Sequence, residues 1–156
     1  ASELYDRFTL LPVDGAVATE VSFDLLAADG ITLRGRIDAV FDEPGGTRIV
    51  DWKTGPHLGE EVDAQLGFYA LAWKLDRGEL PARIDAVSVA TGERREVDLS
   101  PRSVDAVEQE VGTMVAELRT ALSSGRDLAR TAGPQCRWCP VLEGCSEGST
   151  ALQLLD

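Results

Sequence analysis

The chain has 156 residues, of which 44% are hydrophobic, and it carries a formal charge of −12. This length and composition suit one folded domain and exclude an intrinsically disordered chain. No apolar run approaches the roughly 18 residues of a membrane-spanning helix, and the N-terminal residues lack the apolar core of a signal peptide. The acidic charge argues against a nucleic-acid partner, unless metal ions or neighbouring domains supply positive charge.

The first predicted elements are three strands. An alternating pattern predicts a strand at 17–27, an Asp-Gly turn at 28–30, and a second strand at 31–42. The run Glu-Pro-Gly-Gly at 43–46 then breaks the chain before a third strand at 47–53. Together these segments predict an antiparallel meander.

Helical spacing follows at 61–77, where the apolar side chains predict a helix largely buried against the sheet. Two more strands are predicted at 82–91 and 93–99, and a second helix at 101–124, with Ser100 as its N-cap. From there the chain is predicted to be irregular. The fold class is therefore α/β or α+β, a mixed sheet flanked by helices.

Three polar residues, Asp38, Asp51 and Lys53, occupy strands that should be buried. Because strand side chains alternate, Asp51 and Lys53 point to one face, and strand pairing can place Asp38 beside them. Two adjacent carboxylates would repel each other, and a hard cation such as Mg²⁺ relieves this. Such a cation with a nearby lysine suits phosphodiester hydrolysis. The alternative is an edge strand with two exposed carboxylates and an incidental lysine.

All three cysteines lie in one C-x2-C-x5-C pattern, Cys136, Cys139 and Cys145. An odd count in a tight cluster does not suit a disulfide scaffold, and it suits a metal site in a reducing cytoplasm with one ligand unaccounted for. Zinc and free thiols are the alternatives. His57 is predicted to be a surface loop residue without a metal role.

These motifs resemble the RecB-like branch of the PD-(D/E)XK nucleases. Gly35-Arg-Ile-Asp38 resembles the family's second motif, residues 49–55 resemble its third, and Gln65 with Tyr69 resembles the pair that defines the branch. The resemblance implies a restriction-endonuclease-like fold and a Mg²⁺- or Mn²⁺-dependent deoxyribonuclease.

By the same resemblance, Asp38, Asp51 and the backbone carbonyl of Trp52 bind the metal, and Lys53 is catalytic. Gln65 and Tyr69 would share one helical face and contribute to the active site. Glu20 matches a glutamate common in the preceding strand and is a candidate accessory residue.

The cysteines resemble the C-terminal triplet of the iron–sulfur nucleases in this branch, where a fourth cysteine upstream completes a [4Fe–4S] cluster. The branch also has a metal-binding histidine on an upstream helix. We therefore expect a truncated nuclease core at 1–130 without its N-terminal helix, and a cysteine-containing segment at 131–156. Its cluster would be incomplete and its activity weak.

The expected partners are DNA and the helicase domains of a UvrD/RecB/AddB-like protein of DNA repair and recombination, on the same or a partner polypeptide. No membrane partner is expected, and apolar surface bared by the absent helix would promote self-association. A catalytically inactive nuclease-like module that binds DNA or acts as a scaffold is the alternative. A zinc-binding interaction domain would leave the Asp-x-Lys strand unexplained.

Overall fold

The computed structural model describes residues 2–11, 13–26 and 32–155. The chain divides into two compact units, Ala1–Val115 and Ala116–Asp156. The elements in chain order are α1 (Ser2–Phe8), β1 (Ala16–Leu26), β2 (Thr32–Glu43), β3 (Gly46–Lys53), α2 (Glu61–Arg77), β4 (Arg83–Ser88), β5 (Arg94–Glu96), α3 (Pro101–Ser124) and α4 (Ser146–Gln153). Two short 3-10 helices, Pro134–Trp138 and Leu142–Gly144, precede α4.

The five strands of the described chain form one sheet in the order β1-β2-β3-β4-β5. Strands β3 and β4 pair in parallel, and the other neighbours pair antiparallel. A parallel pair needs a crossover connection, which α2 supplies. The predicted meander of β1 to β3 and the predicted mixed sheet with flanking helices are both confirmed.

The core lies on both faces of this sheet. On one face, α2 packs against the strands in a cluster whose side chains are at most 7% exposed. It includes Leu66 and Tyr69 of α2 with Ile37, Ile49 and Ile84 of the sheet. The other face holds a second cluster of Ala39, Phe41, Val50 and Val87, with Leu11 and Trp52 against it. Strand β3 is therefore buried on both faces, since Ile49 and Val50 are each 0% exposed.

One ion pair is buried in the sheet. Asp85 is 0% exposed and accepts hydrogen bonds from Nε of Arg48 at 2.7 Å and from Nη2 at 2.8 Å. These bonds raise the pKa of Arg48, whose guanidinium also stacks over the ring of Phe41. The geometry is bidentate, which is the strong form of an arginine–carboxylate pair.

Helices α2 and α3 occupy their predicted ranges. Helix α2 is capped at its C-terminus by Gly78, whose positive φ of 79° lets its N–H donate to the carbonyl of Lys74 at 2.9 Å. Gly67 allows α3 to lie close to α2, because a Cβ at this position would lie 2.9 Å from Cγ2 of Val107.

The structure corrects three expectations. Helix α1 lies where no element was predicted. The strands expected at 82–91 and 93–99 are shorter, because the predicted turn at Gly92 already begins at Ser88, whose carbonyl accepts from the N–H of Gly92 at 2.7 Å. The C-terminal part, predicted to be irregular, contains α4 and two 3-10 helices. Helix α4 escaped prediction because its N-cap is Cys145, whose Sγ accepts from the N–H of Gly148, whereas Ser, Thr, Asp and Asn are the usual caps.

The predicted Asp-Gly turn at 28–30 lies outside the described residues. Within the described ranges, no helix combines the length and the apolar character needed to cross a membrane.

Candidate active site

Asp38 lies where β2 and β3 stop pairing. Their ladder runs from Glu43↔Gly46 to Ala39↔Val50. Just beyond it, Oδ2 of Asp38 accepts a hydrogen bond from the backbone N–H of Trp52 at 2.8 Å. The Trp52 N–H thus bonds to a side chain and not to the backbone of β2. This bond holds the Asp38 carboxylate at the end of β3.

Asp51, on β3, is a buried carboxylate with only 3% of its surface exposed. Burial raises its pKa and the charge of Asp38 raises it further, while Lys53 opposes both effects. Nζ of Lys53 lies 2.8 Å from Oδ2 of Asp51, and this ion pair is the contact that the described residues give that oxygen. Because each carboxylate oxygen has two acceptor positions, Oδ2 keeps one available to a ligand.

The side-chain amide of Gln65 connects β3 to α2. Its Oε1 accepts from Nζ of Lys53 at 2.5 Å, and its Nε2 lies within hydrogen-bond distance of Oδ1 of Asp51 at 3.3 Å. The same Nε2 donates to the hydroxyl of Tyr69 at 2.8 Å. The structure therefore joins Asp51, Lys53, Gln65 and Tyr69, four of the predicted site residues, in one network.

Tyr69 is held in place by Phe23 of β1. The two rings meet edge to face at 6.3 Å between centroids, and burial raises the pKa of the Tyr69 hydroxyl. Phe23 can lie there only because its register partner on β2 is Gly35, where a Cβ would lie 2.2 Å from Cζ of Phe23. The sequence singled out Gly35 as part of a motif, and the structure supplies its physical reason.

The sequence profile of the PD-(D/E)XK nuclease superfamily matches residues 5–146. The chain belongs to this superfamily. Asp51-Trp52-Lys53 fits the (D/E)XK half of the name, and Ile37-Asp38 fits the PD half with isoleucine in place of proline. The predicted superfamily is confirmed, and the RecB-like branch stays a prediction.

Two phage proteins align with part of this chain. Gene 69 protein of Mycobacterium phage D29 is 46% identical over 65 residues, which are 42% of this chain and 23% of that protein. Gene 69 protein of Mycobacterium phage L5 is 49% identical over 55 residues, which are 35% of this chain and 18% of that protein. The alignments therefore span less than a quarter of either phage protein.

Two crystal structures share the nuclease fold. A candidate exonuclease of Eubacterium rectale superposes with a TM-score of 0.54 and 16% identity, over 92% of this chain and 58% of that one. The protein SSO0001 superposes with a TM-score of 0.53 and 13% identity, over 94% of this chain and 68% of that one. At these identities the likeness shows the fold alone.

PD-(D/E)XK nucleases generally use divalent metal ions, and the donor set here fits one. Mg²⁺ binds through one or two carboxylates and keeps several waters. Asp38 and Asp51 supply two carboxylates, and the buried Oδ2 of Asp51 faces the Lys53 ammonium at 2.8 Å with acceptor capacity to spare. No group of three or more His, Cys, Asp and Glu side chains in those residues is arranged to hold a metal ion, so this site has two carboxylates.

Glu20, the candidate accessory residue, has the left-handed φ of 54° within β1. It lies between the pairs Thr19↔Ala39 and Val21↔Ile37, and is therefore opposite Asp38 in the register. Its carboxylate pairs with Nη1 of Arg36 at 2.7 Å. A non-glycine residue with positive φ stores backbone strain, often beside a functional site.

The cysteines lie in the second unit of the chain, where all three line one cavity of about 460 Å³. The thiols are free, and their contacts are local. Sγ of Cys136 accepts from the N–H of Gly133, and Cys145 contacts Gly148 and Glu147. The structure does not support the predicted iron–sulfur site, because the described residues contain no three-ligand metal group.

The position of His57 beside the candidate active site was not predicted. His57, predicted to be a surface loop residue without a metal role, is exposed but lines a cavity of about 290 Å³ together with Lys53 and Gln65. Sequence spacing gave no signal of this, because the position of a loop depends on contacts from distant segments.

Proposed function

We propose that this chain is a metal-dependent DNA nuclease domain that hydrolyses phosphodiester bonds. The observation that carries the proposal is the contact set of Gln65, whose amide joins Asp51, Lys53 and Tyr69. A structural contact between a helix and a sheet needs no buried carboxylate with a raised pKa. Perturbed carboxylates of this kind concentrate at catalytic sites.

Asp38 and Asp51 would hold Mg²⁺ or Mn²⁺, with the backbone carbonyl of Trp52 as a further donor. When bound, such a cation neutralises charge on phosphoryl oxygens and lowers the pKa of water. The N–H of Trp52 orients the Asp38 carboxylate for this role. Burial makes the ionised form of Asp51 costly, so a cation gains binding energy by neutralising it.

Lys53 supplies the positive charge beside the reacting phosphate. Its side chain is 28% exposed, so Nζ is accessible from solvent while Asp51 and Gln65 fix its position. An ammonium group placed in advance stabilises the negative charge that develops on the phosphoryl oxygens. Tyr69 acts through Gln65, since its hydroxyl accepts from the amide that positions Lys53.

We assign the chain to the RecB-like branch on its Gln65 and Tyr69 pair, which lies one helical turn apart and is in contact. A helicase partner, a role in DNA repair and recombination, a cytoplasmic location and an iron–sulfur cluster rest on the sequence resemblance alone. They stay predictions.

Calorimetry with Mn²⁺ tests the metal site. Wild type should bind Mn²⁺ with a measurable heat. Asp51→Ala should abolish this binding, because the substitution removes one of the two carboxylates that would hold the ion. Arg77→Ala is the control, since this exposed side chain lies at the far end of α2, about 24 Å along the axis from Glu61. Equal Mn²⁺ binding by wild type and Asp51→Ala would contradict the site.

Cleavage of labelled DNA with Mg²⁺, Mn²⁺ or EDTA separates the nuclease from the inactive scaffold. The proposal requires cleavage with a divalent cation and none in EDTA. DNA binding without cleavage under any of these conditions would favour the scaffold.

A further inference from the structure

A second cavity lies beside the network of Lys53 and Gln65. It measures about 290 Å³ and is formed by the loop that follows β3 and by the first turns of α2. Its lining residues are Lys53, Thr54, Gly55, His57, Glu61, Val62 and Gln65. Because it shares Lys53 and Gln65 with the candidate active site, a ligand bound there would directly adjoin the reacting group.

The loop that forms one wall of this cavity is held from behind by β4 and the turn after it. Ser88 is 0% exposed, and its hydroxyl donates to the carbonyl of Gly55 at 2.7 Å. The same hydroxyl accepts from the N–H of Thr91 at 3.2 Å, and the Thr91 hydroxyl donates to the carbonyl of Pro56 at 3.2 Å. Two consecutive loop carbonyls are thus fixed directly before His57.

The chain after His57 is fixed as well. Leu58 is 5% exposed, and its carbonyl accepts from Nη1 of Arg95 at 3.4 Å. The guanidinium of Arg95 is held in turn by a bidentate pair with Asp63, at 2.5 and 2.7 Å. His57 therefore projects from a backbone constrained on both sides, which is the condition for a preorganised binding group.

The lining chemistry suits an anion. Lys53 brings an ammonium group, and His57 and Thr54 bring an imidazole and a hydroxyl that can donate hydrogen bonds. The carboxylate of Glu61, the acidic lining residue, lies against Gly59 in the loop before α2, since a Cβ at Gly59 would lie 2.1 Å from Glu61 Oε2. In a chain with a charge of −12, a phosphate needs such local donors to approach.

We propose that this cavity binds a phosphodiester group of the DNA strand next to the one that is cut, with His57 and Thr54 donating to its oxygens. The inference rests on the proposed nuclease function and adds to it a substrate-positioning subsite. Phosphate contacts of this kind set the register of a strand without reading its bases.

The test is steady-state cleavage of a fluorescein-labelled single-stranded oligodeoxynucleotide, together with its binding in EDTA. His57→Ala should raise KM and Kd roughly tenfold with little change in kcat, because one hydrogen bond to a charged group is lost. His57→Asn, which keeps an N–H donor, should recover much of the loss. Arg77→Ala, which removes a charge at the far end of α2, should match wild type.

The possible outcomes distinguish failure of the subsite proposal from failure of the nuclease proposal. Cleavage by His57→Ala with wild-type KM and Kd would overturn the subsite and leave the nuclease proposal standing. Binding that depends on His57, without cleavage by wild type under any metal, would sustain the subsite and overturn the nuclease. A wild type that neither binds nor cuts the oligonucleotide would overturn both. Circular dichroism melts establish that the variants fold.

Discussion

The Asp38 carboxylate on β2 accepts a hydrogen bond from the backbone N–H of Trp52 on β3 at 2.8 Å. Because Trp52 directly follows Asp51, this bond holds the Asp38 carboxylate at the end of the strand that carries Asp51 and Lys53. The charge of Asp38 contributes to the raised pKa of Asp51. Any acceptor could make this bond, whereas only an ionised group supplies the charge.

Asparagine and alanine at position 38 separate these two contributions. Asp38→Asn keeps an oxygen for the Trp52 N–H, so its thermal midpoint should stay within a few degrees of wild type, while cleavage should fall roughly 10²–10³-fold. Asp38→Ala should lose activity and, in addition, about 1–3 kcal/mol of stability, because a backbone donor is left unpaired. Thermal melts and cleavage assays measure both effects. An active Asp38→Asn would remove Asp38 from the site.

A methyl group at position 35 should displace Phe23 and disturb its ring contact with Tyr69. Gly35→Ala should lower the free energy of unfolding by about 1–3 kcal/mol, the usual cost of overpacking, as measured in urea. Gly45→Ala is the matched control, since a Cβ at Gly45 meets nothing within 4 Å. Adding Phe23→Leu should recover part of the loss. Strictly additive effects of the two substitutions would show that they do not interact.

The pKa of Asp51 predicts a pH-dependent instability. Burial, the largest cause, raises this pKa, so the folded chain binds the proton more tightly than the unfolded chain. The stability contributed by protonated Asp51 is therefore present below about pH 4, the unfolded pKa, and is lost as the pH rises through the folded pKa. At neutral pH the ionised carboxylate is a net cost to folding.

Asp51→Asn should accordingly stabilise the chain at pH 7 without divalent cations, by about 0.5–2 kcal/mol, the usual size of such gains. The gain should vanish as the pH approaches 4. Asp63→Asn is the opposite control: its hydrogen bond with Arg95 lowers the pKa of Asp63, so removing that carboxylate should cost stability at neutral pH. Urea unfolding across this pH range measures both. A loss of stability in Asp51→Asn at pH 7 would contradict the argument.

The buried pair of Arg48 and Asp85 predicts an asymmetry between single and double substitutions. Asp85→Ala removes the bidentate partner of the Arg48 guanidinium, which keeps only its contact with Glu43 at 3.3 Å, and should cost about 3–5 kcal/mol. The double variant Arg48→Met/Asp85→Leu replaces the pair with apolar side chains of similar size and should cost much less. Urea unfolding of both variants checks this. A double variant as unstable as Asp85→Ala would contradict this asymmetry and show that the ion pair itself stabilises the fold.

Local rules predicted much of the site. Strand alternation placed Asp51 and Lys53 on one face of β3, and helical spacing placed Gln65 and Tyr69 on one face of α2. Both hold in the structure because they depend only on the period of each element. The same periods predicted α2 and α3 and the meander of β1 to β3.

Contacts between distant segments could not be predicted in this way. Periodicity does not distinguish a parallel neighbour from an antiparallel one, so the pairing of β3 with β4 was unpredicted. The fit of Phe23 over Gly35 and the fixing of the His57 loop by Ser88 depend on atoms far apart in the chain. Position 57 therefore looked like an ordinary loop residue.

The measurement that tests the central claim most directly is DNA cleavage by wild type and Lys53→Met with Mg²⁺ or Mn²⁺. Methionine keeps the aliphatic stem of Lys53 and removes the ammonium group that contacts Asp51 and Gln65. We predict that wild type cleaves, and that Lys53→Met is slower by roughly 10²–10³-fold at saturating DNA while circular dichroism shows that the variant still folds. Cleavage by Lys53→Met at the wild-type rate would contradict the account.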